Sequence, residues 1–268
     1  MADWREGLRR GDLRHPGLRA RIRGGERLLG TFVKSRDPLV SEALAVAGYD
    51  FLIVDLEHSG LSAGDAEGIV RACDGYDVPV IARIPATGLG LCGALLDAGV
   101  TGIQVSDVAS ADAAVAARAA AHYPPLGARS LSLSTRAARF GAVPAAAHVP
   151  ASLEQTVLIG QIESLEGLAA LAEIVKSGVF DALFLGPADL SVSLGHPGQA
   201  GHPDVAAALQ DTATAVIGDG MPLGIFCATA GEAAQWAERG LTLLAISTDL
   251  TMLRGAAEAV LGQLRTRG

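Results

Sequence analysis

Asp55, Glu57 and His58 stand together where the apolar run Phe51–Val54 gives way to polar side chains. Other apolar runs end the same way: Arg83 closes Val80–Arg83, Gln161 and Glu163 close Thr156–Ile162, and Asp189 follows Asp181–Leu185. Charges at such positions survive desolvation only with partners, so each asks for a chemical reading. Glu163 and Asp189, with substrate oxygens and water completing an octahedron, suit Mg2+ or Mn2+; the competing reading pairs Glu163 with an arginine. His58 has Asp55 three residues before it, where a carboxylate could orient the imidazole and set its tautomer for proton transfer, or make a purely structural hydrogen bond. Arg83 offers a fixed charge and planar donors to a developing enolate oxygen, or a rim salt bridge to Glu57. Gly186, Pro187 and Ala188 form a small-residue turn into a short helix from Asp189, where free backbone N–H groups can hold a carboxylate, or simply an ordinary turn. Lys34, one of two lysines, ends the first run and invites a Schiff-base reading; Lys176 is placed on a helix, in solvent. Of the other histidines, His15, His148, His196 and His202 lie beside prolines or polar turns and are expected at the surface, and His122 at a helix end.

These groups need a frame that brings them to one place. Eight β-rich runs are predicted as strands: Thr31–Lys34, Phe51–Asp55, Val80–Arg83, Gly102–Val105, Thr156–Ile162, Asp181–Leu185, Leu223–Cys227 and Leu243–Ser247. Helical segments fill most intervals, such as Pro38–Ala47 with its Gly48 stop, Ala109–His122, and Ala233–Arg239 after the capping-box pattern Thr229–Glu232. Strand–helix alternation gives a parallel sheet, and eight units in 268 residues give a closed (β/α)8 TIM barrel, with its chemistry at the C-terminal ends of the strands. An open doubly wound sheet is disfavoured, since no G-x-G-x-x-G follows the first strand and Gly88-Leu89-Gly90 reads as a turn. Residues 129–149 show no element and read as a functional loop.

Composition narrows the partners. A net charge of −8 argues against nucleic acid, because that affinity rests on Lys and Arg neutralising phosphates. Arg5, Arg9, Arg10, Arg14, Arg19, Arg21 and Arg23 cluster near the start, but Asp3, Glu6 and Asp12 interrupt them, so the cluster reads as solvated. Residues 1–16 are expected to be a flexible extension and residues 17–268 a single barrel domain. No segment resembles a signal peptide or a membrane span, so the protein is expected in the cytoplasm. Cys73, Cys92 and Cys227 lack metal or disulfide spacing and read as buried thiols, with Cys227 a weak nucleophile candidate at a strand end.

Six motifs in register carry a resemblance: Val54-Asp55-Leu56-Glu57-His58-Ser59, Ala82-Arg83-Ile84-Pro85, Leu95-Leu96-Asp97-Ala98-Gly99, Tyr123-Pro124-Pro125-Leu126-Gly127-Ala128-Arg129, Gln161-Ile162-Glu163-Ser164 and Gly186-Pro187-Ala188-Asp189-Leu190-Ser191. From about Leu18 to Leu264 the chain resembles the HpcH/HpaI aldolases, a family of phosphoenolpyruvate/pyruvate-type barrels. The resemblance implies a class II aldolase that makes or cleaves 4-hydroxy-2-oxo acids, with pyruvate or hydroxypyruvate and an aldehyde as partners. It implies a divalent cation (Mg2+, Mn2+ or Co2+) on Glu163 and Asp189, and Gln161 against the bound 2-oxo acid. It further implies amides around Ala188 and Asp189 holding the acid's carboxylate, Arg83 on the enolate, and Asp55 and His58 in proton transfer with Glu57 beside them. Asp97 resembles an acidic residue that reaches a neighbouring subunit's site, in a homohexamer built from trimers. Ser106, Ser130 and Phe32-Val33-Lys34 depart from common family patterns, on loops that would select the aldehyde. The alternatives are a CoA-ester lyase of the malyl- or citryl-CoA type, a Schiff-base aldolase using Lys34, and a non-catalytic ligand sensor.

Overall fold

In the computed structural model, which describes residues 17–265, all eight runs form strands. They are β1 (Leu28–Val33), β2 (Phe51–Asp55), β3 (Val80–Ile84), β4 (Gly102–Val105), β5 (Val157–Ile162), β6 (Ala182–Leu185), β7 (Leu223–Cys227) and β8 (Leu243–Thr248). Each pairs in parallel with the next, and β8 closes on β1, giving a (β/α)8 barrel. The helices are α1 (Leu18–Arg23), α2 (Pro38–Val46), α3 (Ala63–Asp74), α4 (Cys92–Ala98), α5 (Ala111–Ala121), α6 (Ala145–Gln155), α7 (Leu165–Ala169), α8 (Leu171–Lys176), α9 (Pro187–Ser193), α10 (Pro203–Gly218), α11 (Ala230–Glu238) and α12 (Asp249–Arg265). Among the described residues, no helix is long and apolar enough to cross a membrane.

Two apolar layers hold the barrel. Leu28, Phe32, Phe51, Ile53, Ile81, Val157, Ile159, Phe184 and Leu243 pack inside it, while Val54, Val80, Leu158 and Leu183 face the helices. Each such side chain, fully buried, contributes about 1.5–3 kcal/mol. The interior is tight: a Cβ on Gly30 would meet the Phe51 ring at 2.4 Å, so glycine is what lets Phe51 lie inside.

Several elements differ from expectation for identifiable reasons. β1 starts at Leu28 rather than Thr31, because α1 tucks Leu18 and Ile22 beneath the barrel and continues it downward. Arg19 and Arg23 are therefore not part of a solvated run: both pair with the buried Asp181, and Arg21 bridges Glu26 and Asp50. Arg5, Arg9, Arg10, Arg14 and His15, like the expected extension 1–16, lie outside the described residues. The interval 129–149 holds a 3-10 segment, Arg136–Gly141, and the start of α6, whose internal Pro150 masks the helical pattern. His148 on α6 is buried rather than at the surface, with its Nε2 3.1 Å from the Tyr123 hydroxyl. α11 opens three residues earlier than expected: Thr229 caps the Glu232 amide, and the Glu232 carboxylate reaches the Ala228 amide. The three thiols are buried and free, and burial pushes Cys73 and Cys227 up to about 12 and Cys92 to about 11, which leaves no reactive thiolate.

Candidate active site

Strand alternation decides which residues reach the barrel interior. On β2, Phe51 and Ile53 fill it and Asp55 continues the same stripe; on β3, Ile81 leads to Arg83; on β5, Val157 and Ile159 lead to Gln161. Register sets Asp55 beside Arg83 and Arg83 beside Gln104. The interior is thus apolar through its depth and polar at its C-terminal rim.

At that rim Arg83 donates to Asp55 from Nε at 3.0 Å and from Nη2 at 2.7 Å. Its guanidinium lies 4.7 Å above the Phe32 ring, and Glu57 Oε2 is 3.6 Å from its Nε. The expected contact with Glu57 is thus present, but Asp55 is the main partner of Arg83. Lys34 Nζ lies 3.1 Å from Asp55 Oδ2, and the amides of Glu57 and His58 each donate to Oδ1 at 3.1 Å. Burial pushes the Asp55 carboxyl up, but the hydrogen bonds and charge of Arg83, with the His58 amide and Lys34, hold it at about 2.

Asp55 is therefore occupied, and the expected contact with the His58 ring does not form. The carboxylate fixes the backbone beneath His58, while the imidazole Nε2 lies 3.9 Å from both Glu57 Oε2 and Asp189 Oδ2. The residues were placed together correctly, but the pairing is different: a fully hydrogen-bonded Asp55 has no lone pair left for the ring.

Glu163 has amide partners rather than an arginine. Its Oε1 accepts from the Asp107 amide at 2.9 Å, and its Oε2 accepts from Gln161, whose own carbonyl oxygen accepts from Gln104. Burial pushes the Glu163 carboxyl up; the Gln161 hydrogen bond opposes this, but the facing carboxylates of Asp189 and Glu57 add to it, and the carboxyl rises to about 7. Glu57 receives the Ser106 hydroxyl on Oε1, while its Oε2 is buried with no hydrogen-bond partner. Gly186 passes so close that a Cβ there would lie 2.2 Å from Glu163 Oε2. Mutually repelling carboxylates, an oxygen without a hydrogen-bond donor and a turn kept free of side chain fit a hard divalent cation, which Glu163 and Asp189 could hold.

Phe32, Phe184 and Phe226 wall the cavity at this rim, with ring centroids 6.3 Å (Phe32–Phe184) and 5.8 Å (Phe32–Phe226) apart. The cavity measures about 170 Å³ and is also lined by Lys34, His58, Arg83, Gln161, Gly186, Pro187, Ala188, Asp189 and Thr248. Sequence reasoning missed the aromatic wall and Gln104. Period-2 alternation from Leu28 on β1, and from Ala182 on β6, would have directed Phe32 and Phe184 inward.

A barrel with a carboxylate-rich, glycine-cradled mouth is matched by one family model, HpcH/HpaI aldolase/citrate lyase, over residues 28–256. The chain belongs to this family. Aldolases and citrate lyases both break carbon–carbon bonds, and this HpcH/HpaI protein is accordingly a carbon–carbon lyase. It is 35% identical over 248 residues to the hydroxypyruvate/pyruvate aldolase of Sagittula stellata, covering 92% of this chain and 97% of that one. It is also 35% identical over 239 residues to the 2-dehydro-3,6-dideoxy-6-sulfogluconate aldolase of Pseudomonas putida, covering 89% and 93%. The crystal structure of a HpcH/HpaI aldolase/citrate lyase family protein from Burkholderia cenocepacia superposes with a TM-score of 0.88 at 33% identity, covering 93% of this chain and 99% of that one. Within this HpcH/HpaI barrel, Asp97 does not line the mouth. It sits on α4 and pairs with the buried Arg129, which stacks 4.6 Å from the Tyr123 ring.

Proposed function

We propose that the protein makes or cleaves 4-hydroxy-2-oxo acids, with pyruvate or a close analogue such as hydroxypyruvate as one partner and an aldehyde as the other. The observation that carries this reading is the convergence of Asp189, the Gly186 turn, Gln161, Arg83 and His58 on one small cavity, with Glu163 packed behind Gly186 and Gln161. Glu163 and Asp189 would hold a divalent cation, with Mg2+, Mn2+ and Co2+ as candidates, and it would supply Lewis-acid charge to an enolate.

The chain's own groups then divide the work. The amides of Ala188 and Asp189 hold the carboxylate of the 2-oxo acid, and Gln161 orients it from the β5 side. In the cleavage direction His58 takes the proton of the 4-hydroxyl, the C3–C4 bond breaks, and its electrons pass through C2 to the keto oxygen as the aldehyde departs. Arg83 faces the charge that develops there, held in aim by Asp55, so it needs no reorganisation during the reaction. A proton delivered to C3 completes the pyruvate. In this reading the His58 imidazole, whose Nε2 lies 3.9 Å from Glu57 Oε2 and Asp189 Oδ2, returns it.

We further propose a homo-oligomer, a hexamer by family, in which Asp97 serves a neighbouring site. Its support here is α12, which leaves Leu250, Leu253, Val260 and Leu261 exposed along the last helix for a second copy to cover. The test of the activity is release of pyruvate from 4-hydroxy-2-oxo acids, followed across a panel of substrates. Release should stop with EDTA and return with Mg2+, Mn2+ or Co2+; turnover indifferent to chelation would overturn the reading.

A further inference from the structure

Outside the barrel mouth, His196, His202 and Asp204 are the one group among the described residues whose metal-ligating atoms all lie within 4.8 Å of one another. His196 and His202 lie in the connection from α9 to α10 and Asp204 in the first turn of α10, and nothing in the aldolase reading uses them. The connection is folded so that they meet. The amide of His196 donates to Ser191 O at 2.7 Å, that of Gln199 to His196 O at 3.0 Å, and that of His202 to Gln199 O at 2.9 Å. The chain reverses at Gly195 and Gly198, which take φ of 82° and 74°. The two imidazoles stack with centroids 3.5 Å apart and planes 16° from parallel. Asp204 Oδ2 is the hub, 3.0 Å from His196 Nε2 and 3.6 Å from His202 Nδ1.

Those distances have a meaning in coordination chemistry. Two donors bound to a tetrahedral ion at about 2.0–2.1 Å lie roughly 3.3 Å from each other. The two separations around Asp204 fall on either side of that value, so small side-chain rotations would bring the set to it. We propose that His196, His202 and Asp204 form a binding site for a transition-metal dication of the Zn2+ class, separate from the carboxylate centre in the barrel.

Ligand type divides the two sites. Imidazole nitrogen suits Zn2+, Ni2+ and Cu2+, whereas the carboxylates Glu163 and Asp189 suit Mg2+ and Mn2+. Three protein ligands leave the fourth position to water. The lone pairs of stacked rings run nearly parallel, so binding splays them. With side chains 25% and 29% exposed, the rings can turn without disturbing the core. The contacts given up are the 3.0 Å hydrogen bond between His196 Nε2 and Asp204 Oδ2, which the ion replaces, and the long bond of 3.3 Å from the Asp204 amide to His202 Nδ1. The ion would tie the first turn of α10 to the connection that follows α9, the helix that carries Asp189.

Equilibrium dialysis of the full chain against Zn2+ in saturating Mg2+, repeated in a Glu163→Ala background, tests the site. One Zn2+ per chain is expected in both, and the His196→Asn/His202→Asn double variant should bind it at least about 10-fold more weakly. That variant should keep its melting temperature in metal-free buffer and its Mg2+-dependent activity, which shows that it folds. Undiminished Zn2+ binding by the double variant, or no Zn2+ retained by the parent in the Glu163→Ala background, overturns the proposal.

Discussion

Glu163 is the residue whose cost to the fold can be measured apart from its use. In the metal-free protein burial pushes its carboxyl from 4.5 to about 7, with Asp189 and Glu57 adding to the push. A carboxyl raised in the folded state holds a proton that the unfolded chain releases, so the native state is favoured fully below pH 4.5, and that advantage is lost as pH rises to about 7. The interval corresponds to about 3 kcal/mol. Glu163→Gln keeps the shape and cannot ionise, so at pH 8 it should stabilise the metal-free protein by up to about 3 kcal/mol, on the order of 10 °C in Tm. At pH 4.5 the variant and parent should melt alike. Adding Mg2+ at pH 8 should stabilise the parent, by about 2.7 kcal/mol at a hundredfold excess over its Kd, and leave Glu163→Gln unmoved and inactive. Thermal melts at five pH values with and without Mg2+ read all of this. A Glu163→Gln variant less stable than the parent at pH 8 refutes the argument, because it would mean that the ionised carboxylate stabilises the empty site.

Arg83→Ala should lower kcat by about 10²-fold or more and, by removing the main counter-ion of the buried Asp55, cost about 3–5 kcal/mol of stability; steady-state kinetics well below the variant's Tm separates the two effects. Lys34→Ala should keep activity within about tenfold, and borohydride in the presence of pyruvate should trap no adduct on Lys34, since its ammonium is committed to Asp55 and His58 O. Mixing Asp97→Ala and Glu163→Ala protomers, each inactive alone, should restore part of the activity if Asp97 serves a neighbour; mixtures that stay inactive after subunit exchange would confine Asp97 to its bond with Arg129.

The barrel was legible because each of its strands is a short apolar run and the groups that end them are unlike anything the core requires. Asp55, Arg83, Gln161 and Glu163 announced the rim by being polar in apolar company. The pairing among them was not legible. Asp55 and His58 are three residues apart in sequence, which suggests a side-chain contact, but the turn after β2 delivers the His58 amide to Asp55 and points the ring away. Arg83 claims Asp55 from the next strand, a contact set by barrel register rather than by local spacing. His148 looked like a surface residue beside a proline, yet α6 continues through Pro150 and carries His148 inward to Tyr123. Arg19 and Arg23 looked like members of a solvated run because Asp181, their partner, lies at the far end of the sequence interval.

The charges at the rim also argue that a cation serves entry as well as chemistry. Two cations, Lys34 and Arg83, stand among four carboxylates, Asp55, Glu57, Glu163 and Asp189. Ionised and without a metal ion, this mouth is negative and repels a 2-oxo acid. The rise of Glu163 to about 7 is the protein's partial answer, since one carboxyl can shed its charge by holding a proton. With a dication held as proposed, the four carboxylates would be balanced together with Lys34 and Arg83, and Glu163 would no longer need that proton. The substrate's carboxylate would then approach a neutral site, with the amides proposed to receive it ahead. Loss of the metal ion should therefore weaken 2-oxo acid binding itself, visible by calorimetry without turnover, in addition to removing the Lewis acid.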